Sequence, residues 1–266
     1  MRVSGSCLLR LPGALLPVLL LSGCPLQPRP SAAPPRVAAE TAAPHEGVPY
    51  DIVADESLLT IRVYRGGTLA SAGHNHLIAL HALTGTVYVP EDVRRASFEA
   101  RIPVAELTVD EAALRTQEHS PDFPPDVPDA AREGTRRNML GEALLAGERN
   151  PQIVLRALRL EPAPSAAGDA GAAGGAGTSG AAGGTGTVLA RVQTTVRAEV
   201  RAITVPVSYR LAAGSVTASG EAPVRQSDLG LTPFSALLGA LQVQDEMRVS
   251  FRIVARAAGA RSGAPH

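Results

Sequence analysis

A chain of 266 residues with 25 basic and 25 acidic side chains is long enough for one good-sized domain or two, and it is formally neutral at pH 7. Every basic residue is arginine. Two of them, Arg2 and Arg10, lie in an N-terminal segment free of acids, so the remainder is slightly acidic and lacks the basic stripe that nucleic acid requires. Tryptophan is absent and aromatics make up only 3%, which argues against aromatic stacking platforms.

Residues 1–23 read as an export signal. Arg2 and Arg10 supply the positive region, and Leu11–Leu21 is an apolar stretch too short to span a bilayer as a helix. Leu21-Ser22-Gly23-Cys24 resembles a bacterial lipobox, which makes Cys24 the expected lipidation site and the first residue of the mature chain. The alternative is an ordinary signal peptide with an incidental cysteine. Cys7 lies in the discarded segment, so one cysteine remains and no internal disulfide can form. A lipid on Cys24 predicts attachment to a membrane of the bacterial cell envelope, facing the periplasm. Pro25 in place of an aspartate favours the outer membrane over the inner. Residues 24–48, crowded with Pro and Ala, are expected to form a stiff extended tether in which His45 is solvated.

The folded domain is expected over residues 49–258, with a disordered tail at 259–266. From Tyr50 onward the pattern has period two. Leu59, Ile61 and Val63 alternate with polar residues, as do residues 83–89 and Phe98, Ala100 and Ile102. Helical stretches are predicted at Asp110–Glu118 and Asp129–Leu145, separated by four prolines. Strands resume at Pro151–Leu160. A Gly/Ala run at 163–186 has almost no apolar bulk and is expected to be a disordered insertion between strands. Alternation returns in Val188–Glu199, Ile203–Leu211, Ser215–Val224 and Glu246–Ala255, with a short apolar segment, Phe234–Leu241, before the last. The fold class is therefore mainly β. About eight strands without alternating helices predict an eight-stranded antiparallel barrel with one or two short helices, its interior aliphatic and wide enough for one small ligand.

Ala72-Gly73-His74-Asn75-His76, with His81 close behind, concentrates half of the six histidines on a turn or strand edge. Two readings follow. In the structural one, Gly73 makes a tight turn and the flanking side chains hydrogen-bond the backbone. In the other, His74 and His76 share a face and ligate a metal or haem iron, joined by His81, His119 or Asp228. No nucleophile elbow, His-Glu-x-x-His or phosphate-cradling loop is present. Asp228 and the pair Asp245/Glu246 read more simply as turn residues than as an acid and base, so no enzyme is predicted.

Four stretches resemble the YceI-like proteins. Gly220–Val224 followed by Ser227-Asp228-Leu229-Gly230-Leu231 is similar to the family's strand and Asp-aromatic-Gly turn, with Leu229 in the aromatic position. Asp245-Glu246-Met247-Arg248-Val249 looks like the entry to its last strand, and residues 143–153 look like its Pro-x-Ile strand entry. Tyr50-Asp51-Ile52 and Ser57-Leu58-Leu59 match its opening. The resemblance implies a lipocalin-like barrel that holds a polyisoprenoid or other long-chain apolar lipid, with no further cofactor. Interior contacts are then expected from Phe98, Ile102, Phe123, Leu229, Phe234, Leu237 and Phe251. The implied partners are that lipid and, through Cys24, a membrane; a homodimer is also carried as an expectation. The competing function is a metal- or haem-linked periplasmic protein using His74 and His76.

Overall fold

The computed structural model describes residues 40–163 and 183–257. Alternating apolar and polar side chains, the mark of a strand with one buried face, become here a closed antiparallel barrel of eight staves. The first three staves are bent. β1 (Val48–Ile52) leads into β2 (Leu58–Gly66) through a 3₁₀ turn at Ala54–Glu56. β3 (His76–Leu80) leads into β4 (Thr84–Val89), and β5 (Ser97–Pro103) into β6 (Thr108–Val109) through a second 3₁₀ turn. Helices α1 (Ala112–Glu118) and α2 (Asp129–Leu140) follow. The barrel is then completed by β7 (Gln152–Pro162), β8 (Gly184–Val196), β9 (Glu199–Ala212) and β10 (Ser215–Arg225). The short β11 (Ser235–Ala236) lies against the last stave, β12 (Leu241–Ala257).

Closure falls on β12. One edge pairs with β10, and the other pairs first with β2 and then with β1, where Tyr50 stands opposite Ala257 and Ile52 opposite Ala255. A closed ring leaves no row of unpaired backbone groups along its staves. At the first bend, backbone groups leave the ladder and Ser57 takes them up. Its Oγ donates to the Val53 carbonyl at 2.7 Å and accepts from the Val254 N–H at 3.0 Å.

The structure moves several predicted boundaries. Asp110 does not open α1, because its backbone is left-handed (φ 53°) and its side chain turns inward. α2 ends at Leu140 rather than Leu145. Gly141 is extended and Ala146 left-handed, which folds Leu144 and Leu145 back against the barrel. Residues 184–186 belong to β8, paired with Leu211, Arg210 and Tyr209, rather than to the Gly/Ala insertion. Most of that insertion, the signal segment, Cys24, the first part of the tether and the tail lie outside the described residues. The tether's end, residues 40–47, is packed on the barrel. The Ala43 N–H donates to the Ala157 carbonyl at a β7 irregularity, and Glu40 pairs with Arg191 and Arg159. His45 is not simply solvated but stacks on Tyr88, ring centroids 4.2 Å apart.

Inward-facing positions are almost wholly aliphatic. Along β8, buried Val188, Ala190, Val192 and Val196 alternate with residues that face outward. Two glycines make room for the larger rings. A Cβ on Gly186 would lie 2.6 Å from the Tyr209 hydroxyl, and one on Gly220 would lie 2.7 Å from the Phe251 ring and 2.3 Å from the Pro206 carbonyl. Gly220→Val should therefore lower stability by about 1–3 kcal/mol through overpacking. Urea denaturation checks this, and an unchanged midpoint would mean that Phe251 and β9 can give way.

Candidate functional site

The staves enclose a cavity of about 610 Å³, a volume typical of small-molecule sites, which span roughly 300–1,000 Å³. Its walls come from every stave: Leu59 and Ile61 on β2, Phe98 and Ile102 on β5, Leu155 on β7, Val192 on β8, Val205 on β9, Val249 and Phe251 on β12. Polar side chains are few in this lining, Thr194 on β8 among them, so apolar contact dominates the interior.

Five of the seven predicted contact residues line this space: Phe98, Ile102 and Phe251 on the staves, and Leu229 and Phe234 on the segment between β10 and β12. Phe123 and Leu237 do not. Phe123 is buried outside the barrel, edge-on to Tyr64 at 5.6 Å and under the Arg115 guanidinium, because Tyr64 sits on the outward parity of β2. Leu237 is 68% exposed on a turn tip and points away from the interior.

The two ends of the cavity differ. Where β5 begins and β7 and β9 end, Ser97 and Tyr209 are the polar lining residues. At the other end Arg65, His74, His76, Gln226 and Gln242 gather, together with one face of α2. That face is Ala131, Gly134, Thr135, Asn138 and Met139, the i, i+3, i+4, i+7, i+8 stripe of a helix laid across the mouth. The sequence pattern draws attention instead to Leu144 and Leu145, which lie beyond the helix.

His76 ties this helix to the barrel. Its Nδ1 lies 2.6 Å from Asp110 Oδ2 and its Nε2 lies 3.0 Å from Thr135 Oγ1. An ionised carboxylate only accepts, so Nδ1 carries a proton and donates to Asp110, while Nε2 and the Thr135 hydroxyl share the second bond. Asp110 is 1% exposed. Its Oδ1 also accepts from the Leu77 N–H at 2.8 Å and from Arg115 Nη1 at 2.6 Å. Arg115, equally buried, donates further to the Asn75 and Pro124 carbonyls. Asn75 in turn accepts from the Arg65 N–H and donates to the Asp122 carbonyl. Burial is the largest single influence on Asp110 and opposes its ionisation. The hydrogen bonds from His76 and Leu77 and the charges of His76 and Arg115 together outweigh it and hold the carboxyl below its usual range. Arg136 completes the latch on α2 by donating to the Leu107 and Ala105 carbonyls, both at 2.8 Å.

This geometry leaves the metal reading without support. Both ring nitrogens of His76 are engaged by protein groups, and His74 lies 6.2 Å away between ring centroids. His81 is exposed beyond the end of β3 and pairs with Glu111, while His119 and Asp228 are exposed on separate turns. Among the described residues no three His, Cys, Asp or Glu side chains converge on a point that could hold an ion. The histidine cluster is thus a structural hub: Asn75 hydrogen-bonds the backbone as the structural reading has it, whereas His76 bonds the side chains of Asp110 and Thr135 and so rests on a buried ion pair. Asp110 and Arg115 give little sign of this role in sequence: they stand five apart at the edge of a helical stretch, a spacing that reads as solvated surface.

The class of protein these features define is a closed antiparallel barrel with an apolar interior and a helix across one mouth. No protein-family model matches the sequence, and no curated protein matches it. Solved structures to which it is similar include Burkholderia cenocepacia BcnA, at 14% identity over 76% of this chain and 98% of that one, with a TM-score of 0.49. A polyisoprenoid binding domain from Saccharophagus degradans shares 12% identity over 79% and 99%, also with a TM-score of 0.49. A Campylobacter jejuni YceI protein shares 7% over 66% and 81%, at 0.41. These neighbours are proteins of the YceI-like kind that the sequence resembles.

Replacing Asp110 by Asn leaves Arg115 buried without its counter-charge, which should cost about 3–5 kcal/mol. Because folding lowers the Asp110 pKa, its stabilising contribution is complete above the ordinary aspartate value of about 3.9 and is lost as the pH falls below it. Denaturation midpoints measured from neutral to strongly acidic pH should fall in the parent protein. In Asp110→Asn they should start lower and lose that part of the acid dependence. Equal acid slopes in the two proteins would remove Asp110 from this account.

Proposed function

We propose that this protein is an extracytoplasmic carrier, anchored to a bacterial envelope membrane through Cys24, that holds a polyisoprenoid or similar long-chain apolar lipid inside its barrel chiefly by burial. The observation that carries the reading is the cavity of about 610 Å³ walled by aliphatic side chains from all eight staves. At about 25 cal/mol for each Å² of apolar surface removed from water, a branched hydrocarbon chain fits such an interior without any dedicated polar contact. The resemblance to YceI-like proteins supplies the lipid class. The anchor rests on the signal-like residues 1–23 and the lipobox-like Leu21-Ser22-Gly23-Cys24, and placement at the outer membrane rests on Pro25. The polar groups gathered at the α2 end favour a guest with a small polar terminus lying at that mouth.

Native mass spectrometry of the full chain, exported in a bacterium and purified gently, should show a bound mass of polyprenyl type. Ala218→Phe, which places a ring on the cavity wall, should reduce binding of added polyprenol at least tenfold while circular dichroism stays that of the parent. A chain that neither carries an apolar guest nor takes up polyprenol in titration would overturn the proposal.

A further inference from the structure

The apolar segment Phe234–Leu241, unexplained by the cavity alone, forms a turn at the α2 end of the barrel. It is continuous with the interior, since Phe234 and Leu241 line the cavity while Leu237 and Leu238 between them face outward. Leu238 is fully exposed and Leu237 is 68% exposed. Both have left-handed backbones, φ 51° and 55°, a region that a branched L-residue rarely adopts and that strains the tip. The neighbouring turn adds Leu69, 44% exposed, which is tied to this one by its N–H to the Ala240 carbonyl at 2.8 Å. No charged side chain occurs from Gly230 to Leu241. Soluble surfaces seldom show adjacent exposed leucines on a strained turn, and a contiguous apolar patch of this kind marks an interaction site.

We infer that Leu69, Leu237 and Leu238 form a lip that inserts into the surface of a lipid bilayer, so that a guest passes between membrane and barrel without crossing water. The occupant is set by continuity. The lip is the outer end of an apolar surface whose inner end is the cavity, and a guest that the cavity suits is a guest that lives in a bilayer. The inference rests on the carrier reading above. It extends that reading by assigning the entry side and the donor phase. Insertion depth scales with the apolar area immersed, and the uncharged turn has only its backbone and the Thr232 and Ser235 hydroxyls to desolvate.

The chain contains no tryptophan, so Leu238→Trp supplies a single reporter at a position where no packing is disturbed. Val48→Trp, half exposed at the opposite end of the barrel, is its counterpart. Full-length protein is mixed with phosphatidylcholine vesicles containing lipids brominated on the acyl chains. The expected result is a blue shift and strong quenching of the Leu238→Trp emission, with that of Val48→Trp unchanged. In a second assay, Leu237→Asp combined with Leu238→Asp should slow transfer of bound polyprenol to vesicles by roughly tenfold, with equilibrium uptake of polyprenol unaltered. Equal quenching in the two variants would mean adsorption without the lip and would overturn the inference. A blue shift of the lip reporter that needs no vesicles and grows with protein concentration would assign the lip to a second copy, and would overturn it likewise. An unresponsive lip reporter in protein that still takes up polyprenol defeats the lip alone. Failure to take up polyprenol defeats the carrier reading itself.

Discussion

The mouth of this barrel depends on one carboxylate. Asp110 is buried, left-handed in its backbone and paired with an equally buried arginine, an arrangement that costs desolvation and is tolerated only because the acceptor sites are filled from three directions. From it the order spreads outward. Its link to His76 positions an imidazole that reaches Thr135 on α2, and its link to Arg115 fixes the carbonyls of Asn75 and Pro124. Two segments with little helix or strand of their own are thereby fixed: residues 67–75 and residues 119–128, the approach to α2. On the outer face Arg62 on β2 donates to Glu118 at 2.7 Å and holds α1 in place.

That local order answers a problem posed by the rest of the barrel. Eight staves of alternating side chains produce a wall that is dry inside, and a dry cavity open at an end would meet water across an apolar rim. Here the rim is finished with polar groups and a helix whose inner face carries small residues. The hold on α2 combines hydrogen bonds to one threonine hydroxyl and two backbone carbonyls with the apolar packing of Met139 and Leu140 against the barrel core.

Much of the barrel was legible in the sequence because a period of two with aliphatic inner positions has few other solutions. Leu59, Ile61 and Val63, or Met247, Val249, Phe251 and Ile253, state both the strand and its inward face. The bends were not legible. The break between β1 and β2 depends on a serine hydroxyl finding Val53 and Val254, and the second partner lies almost two hundred residues away. The helix over the mouth was visible as a helix but not as a lid. Its covering face is Ala131, Gly134, Thr135, Asn138 and Met139, of which a hydrophobic pattern singles out only Met139. Phe123 misleads for the opposite reason, being an aromatic in a polar stretch whose place is decided by Tyr64 and Arg115. The histidines draw attention for chemistry, yet what they do is set by Asp110, a residue that in sequence belongs to a different element.

The asymmetry of the two ends is what turns a container into a directional one. A uniform apolar tube would accept a hydrocarbon chain from either side and in either sense. This tube has Arg65, His74, Gln226 and Gln242 at one mouth and only Ser97 and Tyr209 at the other, so the two ends are not equivalent for a chain with a polar terminus. The same mouth carries α2 and the strained, uncharged turn, all brought together because β2, β3, β10 and β12 end or begin there. Polar recognition, closure and apolar contact surface thus share one rim. The opposite end, where β1 meets β12 and residues 40–47 lie against β7 and β8, is stapled by ladder pairs and arginine–glutamate bridges. Opening there would break the ring, whereas opening at the α2 mouth leaves every stave paired.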